Sequence, residues 1–77
     1  MEIRIGIADS PQIVEIELAE ETDRDALKAE VSATLADTTK VLWLTDRRGK
    51  ETAIPGVRIS FVEISEADVE RRIGFGA

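Results

Sequence analysis

The chain has 77 residues, of which 43% are hydrophobic and 34% are charged. This length allows one domain, and the composition is that of a folded protein rather than a disordered segment. The absence of cysteine excludes disulfide bonds and thiolate metal sites. No apolar run approaches the roughly 18 residues that a membrane-spanning helix needs, and the N-terminus lacks the apolar block of a signal peptide. We therefore expect a single domain over residues 1–77, located in the cytoplasm.

The formal net charge of −6 is unevenly distributed along the chain. Residues 1–36 contain nine acidic and three basic residues, whereas residues 37–64 contain four acidic and five basic residues. An acidic balance disfavours binding along a nucleic-acid backbone, which is attracted to basic surface. The same balance keeps a small protein soluble, and it does not exclude a local basic patch.

The first half of the chain predicts a β-hairpin followed by an amphipathic helix. Apolar and polar residues alternate over residues 2–7 and again over 14–18, as in half-buried strands. Asp9-Ser10-Pro11 between them is typical of a turn. Thr22 then resembles a helix N-cap whose side chain accepts a hydrogen bond from the backbone of Asp25. The residues that share one face of this helix are Leu27, Val31, Thr34 and Leu35.

The second half of the chain predicts three more strands. Residues 40–45 form a strand that is apolar on both faces, and residues 51–54 return after a turn in which Gly49 can adopt a positive φ. Residues 57–64 form the last strand, after a second turn at Pro55-Gly56.

The C-terminal segment 65–77 predicts a short helix, because Ser65-Glu66-Ala67-Asp68 has the pattern of a capping box. This segment is expected to cap the domain or to make a contact. The predicted fold is α+β and two-layered. One mainly antiparallel five-stranded sheet carries the long helix on one face, with a short C-terminal helix after it, in the order ββαβββα.

Several apolar residues are predicted to point away from the sheet face that the long helix covers. Trp43 alternates out of step with the leucines beside it, which take the inward positions of their strand. In the last strand, the same alternation puts Val62 and Ile64 on the side opposite Phe61. Exposed apolar patches mark interaction sites, so we expect either the C-terminal segment or a second chain to cover this face. The candidate contact residues are Ile13, Val41, Trp43, Val62, Ile64, Ile73 and Phe75.

The residue types that most often carry catalysis are missing. The chain contains no histidine, cysteine or tyrosine, which removes the usual general bases, thiol nucleophiles and soft metal ligands. Asp9 and Asp46 lie in predicted turns where two carboxylates could bind Mg²⁺, but aspartate in a turn more often bonds its own backbone. We therefore expect no enzymatic activity, no cofactor and no metal site.

Two basic stretches leave a second function open. Arg47, Arg48 and Lys50 lie in a predicted turn, without the strand–loop–helix context of a phosphate-binding loop. Arg71 and Arg72 lie in the predicted short helix, where positive charge favours the C-terminal end of the helix dipole. One interpretation is a solvated turn and a stabilised helix end. The other is a nucleic-acid or nucleotide contact made by Arg47, Arg48, Lys50, Arg71 and Arg72.

Four stretches that together extend along nearly the whole chain carry a resemblance to a known family. They are Ile5-Gly6-Ile7-Ala8-Asp9-Ser10-Pro11, Leu42 to Asp46, Val62-Glu63-Ile64 and Arg71-Arg72-Ile73-Gly74-Phe75-Gly76. On these residues the chain resembles a small actinobacterial family that carries only a label of unknown function. The resemblance implies a stand-alone cytoplasmic protein and no established activity.

Residues 1–45 also resemble ubiquitin-like β-grasp domains. They begin with Met-x-Ile-x-Ile and continue with a hairpin, a capped helix near residue 23 and a strand near residue 40. A β-grasp needs a long connection to place its last strand beside the first, and Pro55-Gly56 is too short for one. We therefore expect the last three strands to form a meander, with the likeness confined to the first 45 residues.

These observations predict a small non-catalytic binding or adaptor module that acts through an apolar sheet face around Trp43 and the C-terminal segment. The expected partner is a protein or a second copy in a homodimer, and no membrane contact is expected. The alternative is a nucleic-acid or nucleotide-binding module that uses the basic turn 47–50 and Arg71-Arg72.

Overall fold

The computed structural model describes residues 1–66, and its fold is α+β with one α-helix and two antiparallel sheets. The predicted C-terminal helix lies outside the described residues. No helix within residues 1–66 is long and apolar enough to cross a membrane. The elements in chain order are β1 (Glu2–Ile7), β2 (Ile13–Glu17), α1 (Arg24–Ala36), β3 (Val41–Thr45), β4 (Glu51–Pro55), a 3₁₀ helix (Gly56–Arg58) and β5 (Ile59–Ser65).

β1 is the central strand of the three-stranded sheet, whose order is β2-β1-β5. Ile3 and Ile5 are completely buried, as the alternation over residues 2–7 predicted. Residues directly opposite each other in an antiparallel pair point to the same face. Each of these isoleucines therefore shares the core-facing side with an aliphatic partner on both neighbouring strands. The partners are Ile16 and Val14 on β2, and Ile64 and Val62 on β5.

The single five-stranded sheet that the sequence predicted is not formed, because β3 and β4 pair with each other in a separate sheet. Within residues 1–66, a bridge between Leu18 and Asp46 joins the two sheets. The backbone N–H of Arg47 donates to the carbonyl of Glu17 beside it, at 3.1 Å. The turn that begins at Asp46 then leads the chain into β4, so the ladder between the sheets stops after this bridge.

β5 lies beside β1 rather than beside β4, so the expected meander of the last three strands is wrong. The 3₁₀ helix joins β4 to β5, and the backbone N–H of Ala8 donates to the carbonyl of Arg58 at 2.7 Å where β5 begins. β5 runs antiparallel to β1. Because β4 and β5 lie in different sheets, their short connection does not have to turn the chain back alongside β4.

A β-bulge at Ser60 shifts the alternation of side chains within β5. Gly6 pairs with Phe61, whereas Ile7 pairs with Ile59, which leaves Ser60 as the extra residue. As a result, Ile59 packs against the core although Phe61, two residues later, is 41% exposed. A strict period of two, as assumed from the sequence, cannot place both residues correctly.

α1 covers the core with the residues that its amphipathic pattern predicted, except one. Leu27, Val31 and Thr34 are buried, and the Thr34 hydroxyl donates to the carbonyl of Glu30 at 2.9 Å. Leu35, which was expected on the same face, is 46% exposed. The helix and both sheets thus share one apolar core, composed of Ile3, Ile5, Ile16, Leu18, Leu27, Val31, Leu42, Leu44 and Ile54.

The N-cap of α1 is Asp23, one residue after the predicted Thr22. Its Oδ1 accepts hydrogen bonds from the backbone N–H groups of Asp25, at 2.9 Å, and Ala26, at 3.3 Å. Both residues are of a type that caps helices well. The sequence therefore indicated where the helix starts, but not whether Thr22 or Asp23 is its N-cap.

At the other end of α1, the carboxylate of Asp37 organises the loop into β3. Its Oδ1 accepts hydrogen bonds from the hydroxyl of Thr39, at 2.6 Å, and from the backbone N–H of Thr39, at 3.1 Å. These bonds, together with the nearby charge of Lys40, hold the pKa of Asp37 below its usual value because they favour the ionised form. The loop is thus stabilised by a charged carboxylate.

Replacing either aliphatic anchor of α1 should destabilise the fold. We expect Leu27→Ala or Val31→Ala to lower the free energy of unfolding by about 2–4 kcal/mol, since each leaves a cavity in the shared core. Leu35→Ala, half exposed on the same helix, is the matched control and should cost much less. Urea unfolding followed by circular dichroism measures all three. Equal losses for the three variants would contradict the assignment of the buried helix face.

The N-cap assignment has its own test in neighbouring residues. Asp23→Ala should lower the free energy of unfolding by about 1 kcal/mol, because two backbone donors lose their acceptor. Thr22→Ala should have a smaller effect, since Thr22 does not cap the helix. The same urea titration compares the two variants. A larger loss of unfolding free energy for Thr22→Ala would contradict the assignment of Asp23 and support Thr22 as the N-cap.

Candidate interaction surface

β3 and β4 present an apolar strip on the side opposite the core. Their register pairs Val41 with Pro55 and Trp43 with Ala53. The intervening residues of both strands are buried or half-buried on the core side, so these four side chains point outward. Trp43 is 63% exposed and Val41 is 43% exposed. We call Val41, Trp43, Ala53 and Pro55 the Trp43 strip.

The Trp43 strip consists of two cross-strand pairs, or rows, and neither contains a charged residue. The next row along the sheet pairs Thr45 with Glu51, which brings the first charge. Lys40 precedes the strip at its other end. The strip is therefore a short apolar surface with a polar boundary at both ends, which is the arrangement of a small contact site.

The turn that joins β3 to β4 fixes the register of the strip. The Oδ1 of Asp46 accepts hydrogen bonds from the backbone N–H groups of Arg48, at 2.8 Å, and Lys50, at 2.9 Å. Gly49 adopts a φ of 86°, a conformation that glycine reaches without strain. The Asp46 side chain therefore stabilises the turn by accepting hydrogen bonds from its backbone. Within residues 1–66, no group of three or more His, Cys, Asp or Glu side chains could hold a metal ion.

Ile13, predicted to share a face with Trp43, lies on the other sheet. Ile13 and Phe61 both pair with Gly6, from opposite sides, and are 42% and 41% exposed. The ring of Phe61 covers the backbone of Gly6, so that a Cβ at this position would clash with the ring. Among the described residues, exposed apolar side chains thus lie on both sheets, with Trp43 on one and Phe61 on the other.

Val62 and Ile64 lie on the core side of β5 and are half-buried there. The structure therefore does not bring these two predicted contact residues to the Trp43 strip. The bulge at Ser60 is the reason, because a shift of one residue exchanges the two faces of a strand. Ile73 and Phe75, the other predicted contact residues in the C-terminal segment, lie outside the described residues.

Three exposed apolar residues, Ala53, Pro55 and Phe61, were not predicted from the sequence as contact residues. Ala53 and Pro55 could have been found by counting outward from the turn at Asp46–Lys50, since this count gives the cross-strand partners of Trp43 and Val41. No local signal in the sequence identifies Phe61, because its orientation depends on a bulge that only the pairing with β1 shows.

The basic turn lies beside acidic residues of β2. Arg47, Arg48 and Lys50 line a cleft of about 730 Å³ together with Glu15 and Glu17. Arg47 forms an ion pair with Glu17 at 3.1 Å. These carboxylates reduce the attraction of the turn for a phosphate group. Arg71 and Arg72, the other predicted phosphate contacts, lie outside the described residues.

The sequence matches a family model described as "Protein of unknown function (DUF3107)" over residues 1–76. The chain belongs to this family. The match confirms that the resemblance seen in the sequence was to a small domain of unknown function. A comparison with curated proteins gives no match.

The fluorescence of Trp43, the only tryptophan in the chain, reports on the Trp43 strip. Because 63% of its surface is exposed, we expect an emission maximum close to that of the urea-unfolded chain and strong quenching by acrylamide. A blue-shifted, weakly quenched emission would show that the strip is covered in the isolated protein. Repeating the measurement over a range of protein concentrations distinguishes two cases. If another copy covers the strip, the emission changes with concentration; if a segment of the same chain covers it, the emission does not change.

Proposed function

We propose that this member of the DUF3107 family is a non-catalytic binding module that holds a partner protein against the Trp43 strip. The observation that supports the proposal is the 63% exposure of Trp43 on a strip without charged residues. Tryptophan is enriched among the residues that dominate protein interfaces. An aromatic side chain of this size buries on the order of 150–250 Å² when a partner covers it.

Trp43 makes little contribution to the core, which strengthens this interpretation. Its neighbours Leu42 and Leu44 occupy the core-facing positions of β3 and are 0% and 3% exposed. A small polar residue at position 43 would serve the strand equally well and would avoid exposing apolar surface. The size and polarity of Trp43 are therefore explained better by a contact than by the stability of the fold.

The dimensions of the strip favour one narrow partner element. Its two strands lie about 4.8 Å apart, and each contributes two outward residues. A stable interface between two folded proteins buries about 800 Å² on each partner, which is more than such a strip supplies. The proposed occupant is therefore a single extended or helical segment of a partner protein, bound weakly and reversibly.

The residue types in the chain support a binding role over catalysis. The sequence has no histidine, cysteine or tyrosine to act as base, nucleophile or soft metal ligand. A nucleic-acid contact at the basic turn is less favoured than a protein contact, because Glu17 already pairs with Arg47 there.

Substitution of Trp43 tests the proposed function. Epitope-tagged protein is used to capture partners from lysate of the native cell, with and without nuclease, and captured proteins are identified by mass spectrometry. We expect Trp43→Ser to abolish capture of a partner that wild-type protein retains after nuclease. Val57→Ser is the matched control, since Val57 is 64% exposed but lies in the 3₁₀ helix, outside the strip. It should capture the partner normally.

A titration with the identified partner then separates the two candidate functions. Binding at the strip should shift the Trp43 emission to the blue and depend weakly on salt, and it should survive Arg47→Glu combined with Arg48→Glu. Nucleic-acid binding at the turn should weaken steeply with salt and be lost in that double variant. Capture that vanishes with nuclease, or that persists in Trp43→Ser, would overturn the proposal.

A further inference from the structure

Every second residue of β3 turns its backbone polar groups away from β4. Next to the ladder that joins the two strands, the backbone N–H of Gly56 donates to the carbonyl of Lys40 at 2.8 Å. Hydrogen-bonded and non-hydrogen-bonded pairs alternate along antiparallel strands. The N–H and C=O groups of Val41, Trp43 and Thr45 therefore point to the opposite edge of β3.

The chain itself begins a ladder on this edge and then leaves it. The backbone N–H of Ala19 donates to the carbonyl of Thr45 at 3.3 Å. The N–H of Thr22 then donates to the carbonyl of Ala19 at 3.1 Å, in a turn that leads to α1. Val41 and Trp43 are the next residues along the edge, and within residues 1–66 no strand pairs with them there. We call the outward N–H and C=O groups of Val41 and Trp43 the β3 edge.

A groove between α1 and the start of β3 gives room for side chains beside the β3 edge. Its volume is about 470 Å³. On the α1 side it is lined by Ala26, Ala29 and Ala33, which are exposed and short, and on the other side by Val41. Short side chains alone do not define a binding site. Here, however, they lie next to a strand edge whose backbone groups have no partner among the described residues.

We propose that the partner segment at the Trp43 strip is an extended segment that adds to the β3 edge as a third strand. This inference rests on the function proposed above and specifies the conformation of its partner. Hydrogen bonds to Val41 and Trp43 align the segment, and its side chains alternate between the two faces of the sheet. One set is apolar and lies beside the side chains of the Trp43 strip, whereas the other points towards the groove along α1.

The backbone groups favour this occupant over a helix and this edge over the other one. A helix uses its own backbone N–H and C=O groups internally, so a helical segment leaves the β3 edge unpaired. On the far edge of the same sheet, β4 contains Pro55, whose nitrogen has no hydrogen to donate to an added strand. Proline is one of the residues that disfavour pairing at an exposed edge. Main-chain bonds to β3 also supplement the small apolar area that the Trp43 strip supplies.

Selection from random dodecapeptides displayed on phage tests the conformation of the occupant. Clones are selected on the full-length wild-type protein after depletion on Trp43→Ser. We expect the enriched sequences to have apolar residues at every second position, as a strand does. Enrichment of apolar residues at helical spacing, or no enriched sequence at all, would overturn the proposal.

An enriched peptide without tryptophan is then synthesised in two N-methylated forms, each methylated at one of the two alternating sets of residues. A strand pairs with its neighbour through every second residue. We therefore expect one form to bind about tenfold more weakly than the unmodified peptide, since its paired donors are lost, and the other to bind almost as well. The Kd is measured from the emission of Trp43. Two forms that bind alike would contradict the added strand.

Val41→Pro tests the same contact from the side of the protein. It removes an N–H that points away from β4, so the ladder with β4 and the Trp43 side chain remain. We expect a loss of peptide affinity of about tenfold. Val41→Ile is the matched control, because it keeps both the N–H and an apolar side chain, and it should bind normally. Circular dichroism verifies the fold of both variants, and the methylated peptides decide the question if Val41→Pro does not fold.

The outcomes separate this inference from the proposed function. Peptides that bind wild type but not Trp43→Ser, and that tolerate Val41→Pro and both patterns of methylation, would overturn strand addition and leave the Trp43 strip as a binding site. Partner capture from lysate that persists in Trp43→Ser would overturn the proposed function itself.

Discussion

The rest of the structure depends on the complete burial of two isoleucines, Ile3 and Ile5, in one short strand, β1. Ile3 and Ile5 have no exposed surface, because β1 is paired on both edges and covered on its core side. A chain of this size buries only about 60% of the surface that its unfolded form exposes, and it has no disulfide to compensate. The central position of β1 concentrates the available apolar side chains of two strands around these isoleucines. The second sheet then adds to the same core through Leu42, Leu44 and Ile54.

The local parts of this fold follow from local patterns in the sequence. The alternation in β1 and β3 indicated which side chains are buried, and Leu42, Trp43 and Leu44 occupy the sides that it predicted. The periodicity of α1 identified Leu27 and Val31 as its anchors. The turn at Gly49 was recognised from its residue types, since only a few residues adopt a positive φ easily.

Apart from the exposure of Leu35 and the N-cap of α1, the incorrect expectations concern long-range pairing, which a single sequence does not encode locally. The bulge at Ser60 lies where β5 passes Gly6 of β1, and the Phe61 ring occupies the space of the missing side chain there. Before that pairing is known, Val62 and Ile64 can be assigned to either face. The division into two sheets has a similar origin, since the bridge at Leu18 and Asp46 ends where a turn begins. The β3 residues of the candidate surface, Val41 and Trp43, were therefore predicted, whereas the β4 residues Ala53 and Pro55 were not.

Arg4 on the outer face of β1 has a consequence for how molecules meet one another. Its guanidinium lies 3.2 Å from a carboxylate oxygen of Glu15 on β2 and 3.3 Å from one of Glu63 on β5. One cation thus joins three strands while the face as a whole keeps an excess of negative charge. Two copies whose three-stranded sheets met on this face would bring the remaining carboxylates together. The repulsion between these like charges disfavours stacking of one copy on another through this face.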